Sequence, residues 1–139
     1  MNAVLPELRQ LLKKNGQSLT KPRLSVFNAL RGREPRTMHQ LVEACHGIDR
    51  ASVYRTVALF ERLGIVQRLQ IGWKYKLELT DAFSHHHHHL TCLKCGRVTS
   101  FDETDALADE LHKIGQTHNF IIQSHQLELQ GLCPACQPS

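Results

Sequence analysis

The sequence predicts an α+β protein, with an N-terminal winged helix-turn-helix domain followed by a small α/β domain. Three observations carry that prediction. Residues 1–64 place apolar side chains at helical spacing between Gly and Pro punctuation. Residues 65–79 change period, forming two strand-like runs around Gly72-Trp73. Residues 85–139 then mix short strands and one helix with five consecutive histidines and two Cys-x-x-Cys pairs. The expected boundaries are 1–80 and 85–139, joined by a linker at 81–84.

Each element follows from local chemistry. Leu5, Leu8, Leu11 and Leu12 form one helical stripe, and Gly16 stops it. Thr20 offers an N-cap hydroxyl to a second helix, with Pro22 in its first turn, Leu24, Val26, Phe27 and Leu30 inward, and Gly32 at its end. A third helix over 37–45 has Met38, Leu41, Val42 and Cys45 on one face, and Cys45 reads as a core thiol. After a turn at 46–49, Asp49 or Ser52 can cap a fourth helix over 50–63, with Val53, Val57 and Phe60 inward and Gly64 as its stop. Two helices joined by a short Gly-containing turn read as helix-turn-helix, and the following hairpin makes it winged. In the second half, 86–92 and 98–101 read as strands and Asp102 as the cap of a helix to about 117, with Ala106, Leu107, Leu111 and Ile114 buried. Residues 120–132 read as one or two further strands.

Composition bounds the function. No apolar run approaches the ~20 residues of a membrane span, and the N-terminus lacks the apolar stretch of a secretory signal. A cytoplasmic setting is the expectation, in which five cysteines point to metal or redox chemistry rather than a disulfide framework. Residues 1–80 hold fourteen Lys or Arg against six Asp or Glu, whereas 81–139 hold three against seven. Such asymmetry fits a first half that meets a polyanion, and equally basic helices with solvated faces.

The metal signals are denser. Cys92, Cys95, Cys133 and Cys136 form two pairs that can complete a tetrahedral four-thiolate site, for which structural zinc is the expected occupant. With 37 residues between the pairs, the site would staple the C-terminal segment back onto the first knuckle. Strand geometry gives the histidines two destinations: His85, His87 and His89 face one way, His86 and His88 the other. One strand can therefore feed two sites. Glu78 and His125 are candidates to complete them. Such N/O donors suit Zn²⁺, Fe²⁺, Co²⁺ or Mn²⁺, and the residue types do not choose. His39, His46, His112 and His118 read as surface residues, and Asp105, Asp109 and Glu110 as a solvated helix face.

The run His-His-His-His-Leu-Thr-Cys-Leu-Lys-Cys-Gly (86–96) closely resembles the metal-site signature of the ferric uptake regulator (Fur) superfamily. Ala-Ser-Val-Tyr-Arg-Thr-Val (51–57) with Leu-Gly-Ile-Val (63–66) resembles its recognition helix and exit, and Thr-Lys-Pro-Arg (20–23) and Gly-Leu-Cys-Pro-Ala-Cys (131–136) fit too. The resemblance implies a homodimeric, metal-dependent DNA-binding transcription regulator, usually a repressor, whose second domain is a small α/β dimerisation domain, with double-stranded operator DNA as partner and neither a membrane nor a small-molecule substrate. It implies structural Zn²⁺ on Cys92, Cys95, Cys133 and Cys136. It places Glu78, His87 and His89 in a regulatory interdomain site for Fe²⁺, Zn²⁺ or Mn²⁺, and His86, His88 and His125 in an additional site. It sets Tyr54 and Arg55 on DNA, with Arg50, Ser52, Arg23 and Lys14 nearby. Two departures stand out: Pro35 occupies a place where many members have a histidine, and Ser100 one where many have an acid. Fe²⁺ is the first expectation for the sensed metal, followed by zinc and then by peroxide sensing. The rivals from other classes are a metal-storage protein, which would not need the basic helical half, and a metallohydrolase, which would need a substrate cleft beside an open metal position.

Overall fold

The computed structural model describes residues 4–32 and 34–138 and divides into two compact units, 1–85 and 86–139. The first unit holds four helices and a hairpin: α1 (Val4–Lys14), α2 (Lys21–Leu30), α3 (Met38–Ala44), α4 (Arg50–Arg62), β1 (Val66–Ile71) and β2 (Lys74–Leu79). The caps are those the residue types favour. Thr20 accepts from the Arg23 N–H at the start of α2. Thr37 and Gln40 form a reciprocal capping box at α3, with Gln40 N–H to Thr37 Oγ1 at 3.1 Å and Thr37 N–H to Gln40 Oε1 at 2.9 Å. Of the two candidates for α4, Asp49 is the cap. The Ser52 hydroxyl, donating to Asp49 at 2.6 Å, and the Ser52 N–H hold its carboxyl below the usual range.

The inward stripes of the helices meet in one apolar core. Leu8, Leu12, Val26, Phe27, Leu30, Leu41, Val53, Val57 and Phe60 are buried there, and Cys45 lies among them as expected. β1 and β2 pair antiparallel from Val66↔Leu79 to Ile71↔Lys74. A bridge from Arg36 to Leu77 ties the α2–α3 connection to the inner edge of the hairpin. Arg68 donates twice to Glu61, at 2.7 and 3.1 Å, clamping the hairpin to α4. Residues 81–84, expected as linker, include Phe83, whose ring meets Phe27 edge-on at 5.8 Å and joins the core.

The second unit contains β3 (His88–Cys92), β4 (Val98–Phe101), α5 (Asp105–Thr117) and β5 (Glu128–Gly131). Its sheet has the order β4-β3-β5, with β4 antiparallel and β5 parallel to β3. Several expectations are corrected here. The strand expected from 86 begins at His88, because only from there does β4 supply a ladder. The cap of α5 is Thr104, which accepts from the Leu107 N–H, and not Asp102. The apolar positions of α5 are not buried within the chain: Ala106 and Ile114 are exposed and Leu107 and Leu111 half-buried, since among the described residues no other helix or strand packs extensively on α5. Of 120–132, only Glu128–Gly131 is strand.

Candidate metal centres and nucleic-acid face

The thiol site is built by two knuckles brought together by β3–β5 pairing. Cys92 ends β3, and Gly96, in the left-handed region (φ 79°), lets its N–H return to the Cys92 carbonyl at 2.9 Å. The Leu93 N–H donates to the Gly131 carbonyl at 2.8 Å, drawing the second knuckle alongside. The sulfurs of Cys92, Cys95, Cys133 and Cys136 all lie within 4.8 Å of one another, with Cys95 Sγ and Cys133 Sγ 3.7 Å apart. A tetrahedron with metal–sulfur bonds of about 2.3 Å has an edge of about 3.8 Å, so this donor set fits a Zn²⁺-sized, thiophilic ion. The Cys95 N–H, aimed at the Cys92 sulfur, lowers that thiol to about 6. A proton shared with Cys133 pushes Cys136 up to about 12.

The histidines follow the two-face alternation. The rings of His86 and His88 meet at 4.7 Å on one side, whereas those of His87 and His89 meet at 4.8 Å. His86, His88 and His125 gather with Glu103 so that one donor atom from each lies within 4.8 Å of the others. His88 is 1% exposed and sits 2.8 Å from Glu103 Oε1. His86 Nε2 lies 3.0 Å from His125 Nε2 and 3.4 Å from the Glu103 carboxylate, and His125 also contacts Glu103. The hydrogen bond from His88 lowers the Glu103 carboxyl to about 2, with His125 adding to the effect and burial opposing it. Three imidazoles and one carboxylate at this spacing fit a borderline divalent cation.

Glu103 is not among the residues that the sequence singles out, yet a signal for it exists. Phe101 pairs with His88 across the sheet, and a residue two positions further along an extended chain returns to the same face. Glu128 is a second addition: its carboxylate lies 3.0 Å from His89 Nδ1, fixing that ring and leaving Nε2 as its other nitrogen. In the first unit Glu78 is 5% exposed, and Gln67 Nε2 donates to it at 2.9 Å. Pro35 is buried, and His39, His46, His112 and His118 are exposed, as expected.

The face of α4 opposite the core carries Arg50, Tyr54 and Arg55, all exposed. The Arg50 guanidinium donates to the Tyr54 hydroxyl at 3.1 Å and lies 5.3 Å from its ring centroid. Arg55 donates to the Ser52 hydroxyl at 3.0 Å. Thr20, Pro22, Arg23, Ser52, Arg55 and Thr56 line a small polar cleft between the start of α2 and α4, with two guanidinium groups at its rim. Lys14 ends α1 and is exposed. Such a face, with a protruding helix and cations beside it, has the chemistry of a duplex reader.

A winged-helix unit with that face, followed by a thiol- and imidazole-rich α/β unit, defines a class: metal-responsive DNA-binding regulators. Residues 14–130 match the model of the ferric uptake regulator family, and the chain belongs to that family. It is 34% identical over 141 residues to the ferric uptake regulation protein of Legionella pneumophila, covering 94% of this chain and 99% of that one. Among solved structures it resembles the Vibrio cholerae ferric uptake regulator (31% identity, TM-score 0.71, 90% of this chain and 98% of that one). The fold also matches the Helicobacter pylori ferric uptake regulator (24% identity, TM-score 0.81, 99% and 94%). No described helix is long and apolar enough to cross a membrane.

Proposed function

We propose that this chain is a metal-dependent transcriptional repressor that binds operator DNA as a homodimer, with Fe²⁺ as its leading signal and Zn²⁺ as the alternative. The observation that carries the reading is the division of the histidine tract: His86 and His88 gather on one side with Glu103 and His125, His87 and His89 on the other. In this reading Cys92, Cys95, Cys133 and Cys136 hold a structural zinc. His86, His88, His125 and Glu103 hold an additional ion. His87 and His89 of the second unit share a regulatory ion with Glu78 of the first.

A bound divalent ion supplies the differential free energy that couples the two units. The chain's own groups do the rest. Gln67 orients the Glu78 carboxylate, and Glu128 orients the His89 ring. Arg50, Tyr54 and Arg55 of α4 meet base edges and phosphates, with Ser52, Arg23 and Lys14 beside them. The exposed apolar side chains Ile114, Phe120, Ile121 and Leu129 support self-association through the second unit.

The test pairs metal analysis with DNA binding after adding back Fe²⁺, Zn²⁺ or Mn²⁺ under anaerobic conditions. One ion restoring affinity for a selected operator supports the reading and names the signal. His87→Ala with His89→Ala is expected to abolish that metal dependence while the protein remains folded. Unchanged metal-dependent affinity in this double variant refutes the regulatory role of the pair.

A further inference from the structure

The hairpin of the first unit ends in a feature that neither the core nor the metal ligands use. β1 and β2 close on the pair Ile71↔Lys74, so the turn is the two residues Gly72-Trp73. Gly72 has φ 61°, the first central position of a tight hairpin turn, where glycine has no side chain to clash. Trp73 follows it at the tip, 86% exposed. Burial falls along β2 and into the turn: Leu77, Glu78 and Leu79 are buried, Tyr75 and Lys76 half-buried, and Gly72, Trp73 and Lys74 exposed, while Leu69 on β1 stays buried opposite Lys76. Six residues of strand span roughly 20 Å, which sets the reach of the arm.

The tip is cationic as well as aromatic. Lys74 Nζ lies 5.1 Å from the Trp73 ring centroid. Arg68 stacks at 4.2 Å from the Tyr75 ring one rung further in, stiffening the arm. An indole in water beside an ammonium group has little to gain in the free protein. Against a nucleic-acid backbone the same pair presents a flat apolar plate to a deoxyribose and a donor to the adjoining phosphate. The arm follows directly from α4, whose outer face bears Arg50, Tyr54 and Arg55, so tip and helix belong to one basic unit. When a recognition helix lies in a major groove, the neighbouring groove is half a helical turn away, about 17 Å, which an arm of this length spans.

We propose that Trp73 and Lys74 form a second DNA contact, in which the indole packs on the sugar–phosphate edge flanking the recognition-helix footprint and the Lys74 ammonium pairs with a phosphate. The inference rests on the DNA-binding function proposed for this chain. It makes Trp73 a sequence-tolerant affinity residue, because sugars and phosphates carry no base code.

The chain has a single tryptophan, so its own fluorescence reports the contact. Metal-loaded protein is titrated with a selected operator duplex and with a scrambled duplex. DNA binding is followed by anisotropy of a label on the DNA, and indole exposure by acrylamide quenching. The expected result is a saturable change in tryptophan emission, with loss of quenching, that tracks anisotropy on both duplexes. Trp73→Ala is expected to weaken both duplexes alike by about a hundredfold, roughly tenfold for each protomer of the dimer, which is the worth of burying about a quarter of each ring. Trp73→Phe should recover most of that loss, and Lys74→Ala should lower the slope of log affinity against log salt by about two, one for each protomer. Anisotropy showing binding while the indole stays fully quenchable overturns the proposal but leaves the regulator reading intact. So does an indole shielded by raising protein concentration alone, which would make the tip a contact between copies. Failure of the wild type to bind either duplex overturns both.

Discussion

Removing the thiol pair Cys133 and Cys136 tests how the second unit is held together. Every side chain of the apolar core, from Leu8 to Phe83, belongs to the first unit. In the second, the buried side chains among the described residues are Cys92, His88, His89 and Thr91. A unit of that size lacks the core that would stabilise it alone. The Cys95–Cys133 contact joins residues 38 apart with no covalent link between them, so closing that loop costs about 4 kcal/mol of chain entropy, or roughly a thousandfold in the folding equilibrium. Ligation of structural zinc would offset this, with apparent contributions of about 10–16 kcal/mol in small zinc domains. That figure rivals the whole stability of an ordinary domain. The double substitution Cys133→Ser with Cys136→Ser should therefore unfold the second unit and spare the first. Hydrogen exchange read peptide by peptide decides the matter. The expected pattern is fast exchange over 86–138 with protection retained in α2, α4 and the hairpin. Wild-type protection in β3 and α5 of the substituted protein would refute the reasoning.

Phe83→Ala should cost about 3–5 kcal/mol in denaturant unfolding of the first unit, because its buried ring leaves a cavity against Phe27. A cost under about 1 kcal/mol would mean that 81–84 is a linker after all. Thr37→Ala removes half of a capping box and should cost about 1 kcal/mol, whereas Thr37→Ser should be nearly neutral. Glu103 gives an acid limb to stability. Its carboxyl is held near 2 against an ordinary 4.5, so its contribution is fully present above pH 4.5 and is lost as pH falls toward 2. Glu103→Gln should flatten that limb in a pH series of thermal melts, and an unchanged pH profile would show that the histidines do not engage the carboxylate.

The first unit is legible in the sequence because its determinants are local. Thr20, Thr37 and Asp49 cap the helices that their hydroxyl and carboxylate chemistry favours, and the apolar stripes that follow meet one another within the same chain. The second unit is less so, since its structure depends on contacts distant in sequence. Asp102 and Thr104 are both cap-forming residues two positions apart, and periodicity does not separate them; the backbone chooses Thr104. The stripe of α5 has helical spacing, but spacing reveals amphipathicity and not what covers the face, so Ala106 and Ile114 lie exposed. The thiol knuckles and the alternation of the histidines are readable from residue type and period. Glu103 and Glu128 do not stand out, because isolated acids acquire their neighbours only through the pairing of β3 with β4 and β5.

The histidine tract also bears on how the gene tolerates change. Because the five residues are identical, losing any one of them yields the same polypeptide. The downstream register stays fixed by Leu90, paired to Thr99 and Leu129, and by Cys92. The four positions nearest β3 would then still be histidines, and the missing residue would be taken from the connection at His85, shortening it by about 3.3 Å. Imidazoles would thus remain on both faces after a one-residue deletion that would destroy a mixed ligand sequence.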